Sequence, residues 1–486
     1  MASSSDSHHG GGRGGPTRTF FDHSSATRVS TDAVLAKSIQ EAYPQLELII
    51  VPAQSTNLFT YAQAGNAKLT PIEDESNESL PSSLSWEIYA APARRIDGAR
   101  GGMIERPLFG KYAYSWQDTE FIVYYAEGRD GQSAYPAVNN FYLLTSPANR
   151  GKAQSLLVAA GFWSQELHDE VLVFDGGYWN KSRELFNSIR KASWDNVILD
   201  ADMKQTLIDD HMSFFKSRDQ YQKLKVPWKR GIIYYGPPGN GKTVSIKATM
   251  NMLYNLKDPV PTLYVRSLVS WMGPEASLSM IFNGARAMAP CYLVFEDLDS
   301  IVNDSVRSYF LNEVDGLKSN DGIFMIGSTN HLERLDPGIS KRPSRFDRKY
   351  LFPNPSRDQR VAYCHFWQRK LADNKDIEFP DSLCGAVADK TDKFSFAYIQ
   401  EAFVASLLAI ARTSKQADDD DWVSVTAPGT EDSDYESDDS NDGNDDDLKK
   451  LVLFKEMMKQ IKILRDSIDS SDDQALAAKT ANLMQI

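Results

Sequence analysis

The chain has 486 residues, 66 of them acidic and 53 basic, for a net charge of −13. Fourteen of the acids lie between Asp418 and Asp447, a stretch without Lys or Arg, so the remaining 52 acids face 53 bases in a nearly neutral body. That balance excludes a general affinity for nucleic acid, which needs a cationic excess on one face. A 42% hydrophobic content over this length supplies cores for two or three domains.

Residues 1–29 are rich in Gly and Ser and predict a disordered tail. They lack the apolar core of a secretory signal. Their few Arg and Ser residues leave a mitochondrial presequence as the alternative to a cytoplasmic or nuclear location, although the glycines oppose an amphipathic helix. Three cysteines (Cys291, Cys364, Cys384) without metal spacing fit a reducing compartment. No apolar run approaches the ~18–20 residues of a membrane span, so no transmembrane segment is expected.

Ser30 or Thr31 caps a helix with Val34, Leu35, Ile39 and Tyr43 at helical spacing. LELIIV, SWEIYAA, FIVYYAE, FYLLT and EVLVFD then read as strands, and Asn149–Ala160 as a helix. Asn66–Ser85 and Ala93–Gly102 read as loops. Residues 30–191 thus predict an α+β domain with no catalytic constellation, suited to binding a substrate or adaptor.

From Ile232 short, fully apolar strands alternate with helices, which predicts a parallel, doubly wound α/β sheet over 192–355. Helices follow at Asp358–Ala372, Asp381–Asp389 and Ser395–Thr413, giving a helical lid at 356–416. The acidic stretch 417–447 reads as a disordered insertion or tether, with Ser433, Ser437 and Ser440 placed for an acid-directed kinase. Leu448–Ile468 resumes as a lid or docking helix in the segment 448–486.

Chemistry concentrates in four places. Gly236–Thr243 (GPPGNGKT) follows a strand and opens a helix. In the loop formed by Gly236, Pro237, Pro238, Gly239, Asn240 and Gly241 the glycines let backbone N–H groups converge on phosphate, Lys242 supplies charge and Thr243 a hydroxyl for Mg²⁺. Tyr292–Phe295 is a buried strand ending in Glu296, Asp297 and Asp299, where one carboxylate can serve a metal and its neighbour the attacking water. IFMIGSTN ends in Thr329 and Asn330, a residue suited to bonding that water or the γ-phosphate. Arg342 and Arg345 are ordinary surface charges, or arginines that reach a neighbouring subunit's γ-phosphate.

In this order the four features resemble the AAA branch of the AAA+ ATPases, over Trp194–Ala411. The resemblance rests on WDNVILD, KRGIIYYGPPGNGKT, CYLVFEDLDS, LNEVDGL, GSTN and RPSRFDR. It implies a homo-hexameric ring with ATP and Mg²⁺ between subunits, Thr243 and Glu296 at the metal, Asp297 as base, Asn330 as first sensor, and Arg342 and Arg345 as arginine fingers. Two departures stand out: Glu296-Asp297 reverses the family's usual Asp-Glu order, and Ser344 replaces Gly. The Glu-Asp order and TNHLERLDP are similar to the mitochondrial translocase of the folded Rieske protein. Trp271-Met272-Gly273 instead resembles the pore loop of the katanin- and spastin-like ATPases, or else holds an ordinary core aromatic.

The expectation is a ring-forming ATPase that remodels, unfolds or translocates a protein substrate, without sequence-specific nucleic acid. The alternatives are a slow or non-hydrolysing nucleotide-gated scaffold and a chaperone for folded proteins.

Overall fold

Two sheets of different character organise the chain in the computed structural model, which describes residues 30–72, 83–92, 96, 100–128, 138–315, 318–342, 345–416 and 448–483. The expected tail at 1–29, the acidic stretch 417–447 with its three serines, and Ser344 lie outside the described residues. The chain forms two compact units, Met1–Leu167 and His168–Ile486.

The first unit holds an antiparallel sheet. Its order is β1 (Glu47–Pro52), β6 (Val138–Thr145), β5 (Thr119–Gly128), β4 (Gly102–Trp116) and β2 (Lys68–Pro71), with β3 (Leu84–Ala90) also paired to β4. Successive side chains of a strand face opposite sides. Phe141 and Leu143 of β6 therefore pack with Leu58 and Leu156 on one face, whereas Tyr142 and Leu144 meet Ile39 on the other. Helices on both faces explain why FYLLT is apolar throughout. Ser30 caps the helix Thr31–Ala42 by accepting a bond from the Ala33 amide. The expected loop at 66–85 contains β2 and the first residues of β3, and the sequence reading proposed no strand where β4 lies. Arg, Glu, Pro and Lys interrupt the apolar pattern of β4, and its first half is largely exposed.

The second unit is built on a seven-stranded sheet in the order β13 (Arg348–Leu351), β9 (Arg230–Tyr235), β12 (Ile323–Thr329), β11 (Cys291–Phe295), β10 (Thr262–Val265), β7 (Val171–Asp175) and β8 (Tyr178–Ser182). All neighbours pair in parallel except β7 and β8. This is the expected doubly wound α/β architecture, with helices on both faces. Leu293 and Phe295 of β11 pack with Ile281 and Phe310 on one face. Tyr292 and Val294 join Leu207 and Ile246 on the other. Residues 168–191 were expected in the first domain. Instead EVLVFD extends this sheet as β7, because its apolar run pairs in parallel with β10.

A helical part follows, with helices Arg357–Lys370, Asp381–Lys390, Phe396–Gln416 and Val452–Leu483. Ser356 and Gln359 form a reciprocal capping box at its start. Trp367 stacks on Phe403 with ring centroids 5.2 Å apart. Leu453, Met457 and Ile461 of the last helix share the core with Phe403 and Leu383. The segment after the acidic stretch is therefore part of this core. Among the described residues no helix is long and apolar enough to cross a membrane.

Met457 is fully buried in that core. Met457→Ala is expected to cost about 2–5 kcal/mol, measured as a lower denaturation midpoint for the helical part.

Candidate active site

A loop that binds phosphate through its backbone must keep Cβ atoms out of its own path. Gly236, Gly239 and Gly241 all have positive φ, at 137°, 79° and 88°. A Cβ on Gly236 would stand 2.3 Å from the Phe352 carbonyl oxygen, and one on Gly239 would stand 2.5 Å from Ala397 Cβ. Gly241 opens the helix Lys242–Tyr254, so free amides point beyond its N-terminus. Lys242 is buried, and its Nζ donates to the carbonyls of Gly236 (2.7 Å) and Pro237 (2.8 Å). Burial lowers the Lys242 pKa, and the charge of Asp297 opposes that shift.

Asn240 turns inward rather than toward the open side. Its Nδ2 donates to Asn354 Oδ1 at 2.9 Å, and Asn354 Nδ2 donates to the Lys393 carbonyl at 3.1 Å. The Ala397 amide donates to the Gly239 carbonyl at 3.1 Å. The loop is thereby fastened to the helical part at two points.

The parallel strands bring their C-terminal ends to this loop, the edge at which doubly wound sheets bind ligands. Asp297 follows β11 in a left-handed conformation, and its amide donates to Ser328 Oγ at 3.3 Å. Thr329 Oγ1 donates to Asp299 Oδ1 at 2.6 Å and accepts from the His331 amide at 2.9 Å. Asp299 thus steadies the end of β12. Glu296 turns away from Asp297: its Oε2 accepts a 2.6 Å bond from the Tyr264 hydroxyl, while Oε1 is buried without a partner. An orphaned carboxylate oxygen suits a cation or a cation-bound water.

A cavity of about 610 Å³ joins these groups. Its lining includes Gly241, Lys242, Thr243, Asp297 and Asn330, together with Val197, Ile198, Tyr363, Phe366 and Phe396. The first group offers charge and amides, the second apolar and aromatic surface, a combination that suits a phosphorylated nucleoside. Glu296 is absent from the lining. The sequence reading gave no role to Val197, Ile198 or the three aromatics. Their segments are far apart in the chain and become a wall only through folding.

The two arginines have different surroundings. Arg345 is 9% exposed, with Nε donating to Asp315 (2.7 Å) and a second nitrogen to the Gly338 carbonyl (2.5 Å). Burial raises the Asp315 pKa, but Arg345 and Lys229 outweigh it and hold the carboxyl below its usual range. Both of these Arg345 contacts lie within its own subunit. Arg342 is exposed.

Trp271 is 75% exposed and is no core residue. Its indole N–H donates to the Tyr178 hydroxyl at 3.0 Å. Gly273, at φ 85°, ends the loop and starts the helix Pro274–Ala287. Ser270 and Ser277 hydroxyls both donate to the Gly273 carbonyl, which fixes the loop's base.

Residues 232–354 carry the glycine loop, the carboxylates, Asn330 and both arginines, and they match the model of the family described as ATPase family associated with various cellular activities (AAA).

Proposed function

We propose that the chain binds Mg²⁺-ATP in this cavity, hydrolyses it, and uses the cycle within a ring of identical subunits to remodel a protein substrate. The observation that carries this reading is the cavity that Lys242, Thr243, Asp297 and Asn330 line together with Tyr363, Phe366 and Phe396. Amides from the glycine loop and the Lys242 ammonium hold the β- and γ-phosphates. Thr243 and Glu296 hold Mg²⁺, which when bound offsets charge on the phosphate oxygens. Asp297 accepts the proton of the attacking water, and Asn330 orients that water. Arg342, exposed in this subunit, serves a neighbour's γ-phosphate.

The exposed Trp271 supports a role in gripping a polypeptide. An aromatic surface this open, on a loop tied at its base, offers contact area at low entropic cost. The first unit selects the substrate in this reading.

Lys242→Ala is expected to abolish binding of a fluorescent ATP analogue and the ATPase rate together. Retention of both would refute the assignment. Asp297→Asn should lower the ATPase rate by roughly 10²–10⁴-fold while the analogue still binds. A wild-type rate already at the Asp297→Asn background would favour the non-hydrolysing scaffold instead. Trp271→Ala should keep ATPase activity and lose unfolding of a tagged model substrate. Undiminished remodelling by that variant would favour handling of folded proteins.

A further inference from the structure

We propose that Tyr264 is a positioning residue for the metal-side carboxylate, pinning one oxygen of Glu296 so that the other is presented in a fixed direction. The proposal rests on the reading of Glu296 given above. Strands β10 and β11 pair in parallel with Tyr264 opposite Val294, so the tyrosine side chain lies two residues short of Glu296 and reaches forward to it. The 2.6 Å bond from its hydroxyl occupies Oε2 and leaves Oε1 buried and without a partner. A tyrosine hydroxyl is an uncharged donor. A neutral donor holds the carboxylate without cancelling the charge that a cation needs. Lys or Arg in its place would compete with the metal.

The reversed carboxylate order supplies the reason for such a device. Glu has one more rotatable bond than Asp, and an unanchored Glu at a strand end loses more side-chain entropy when it binds. Outer groups that orient a ligand carboxylate typically contribute ~10–100-fold in metal affinity or activity. Tyr264 restores to Glu296 the rigidity that a shorter side chain has by itself.

The test uses full-length Tyr264→Phe, which keeps the ring and removes only the hydroxyl. Calorimetric titration with a non-hydrolysable ATP analogue is run with and without Mg²⁺. The expected result is unchanged affinity for the metal-free analogue and a loss of about tenfold in the gain that Mg²⁺ confers. The Mg²⁺ concentration for half-maximal ATPase should rise by a similar factor, with KM for ATP at saturating Mg²⁺ little changed. Combining Tyr264→Phe with Glu296→Asp should cost less than the two single losses added, because the shorter acid needs no anchor. Wild-type Mg²⁺ dependence in Tyr264→Phe overturns the proposal, as does an equal loss with and without metal. Should Lys242→Ala and Asp297→Asn also behave as wild type, the reading of the whole site falls. If those two fail while Tyr264→Phe does not, only the role of Tyr264 falls.

Discussion

The close packing of the glycine loop is the constraint on which the rest of this site depends. Backbone amides can converge on an anion only where no Cβ intervenes, and here the loop is hemmed in by the chain leaving β13 at Phe352 and by the helical part at Ala397. The Phe352 amide donates to the Tyr235 carbonyl at 2.7 Å, so the strand end that leads into the loop is fixed from the same side. Asn240 and Asn354 extend the restraint to Lys393. A shift of the helical part therefore moves the loop's backbone directly. That link explains why residues around Met457, remote in sequence, bear on the site: they complete the core that holds the helix Phe396–Gln416, whose first turn touches the loop.

Features whose physics is local were legible in the sequence. The glycine spacing of Gly236–Thr243, the apolar runs of β11 and β12 and their polar ends each carry their meaning within about eight residues. The parallel sheet followed from those runs, because only strands covered on both faces are apolar throughout. Features that depend on distant partners were not legible. EVLVFD looked the same whether it ended one domain or extended the sheet of the next. β4 was hidden because its first four residues face solvent and its charged residues and proline break the alternation. The aromatic part of the cavity lining was unreadable for a different reason: Tyr363 and Phe396 look like ordinary helix residues, and only folding brings them into one lining with Ile198.

Arg345 illustrates how burial decides between readings that sequence leaves open. A buried guanidinium needs a charge partner and filled donors, and Asp315 with the Gly338 carbonyl provides them. Breaking those bonds to reach another subunit would take from Asp315 the guanidinium that it shares with Lys229, 3.4 Å away. Arg342 is exposed in this structure, so it can turn outward without first giving up a buried ion pair.

The Glu296-Asp297 order has a similar geometric resolution. Consecutive residues leave a strand on opposite sides, and the left-handed backbone of Asp297 sharpens the divergence. The longer acid consequently falls on the β10 side, where the Tyr264 hydroxyl meets it. The shorter acid falls on the cavity side, close enough to act on Lys242 through its charge. Exchanging the two acids would place the longer side chain against the loop and leave Tyr264 reaching for a carboxylate one methylene too short.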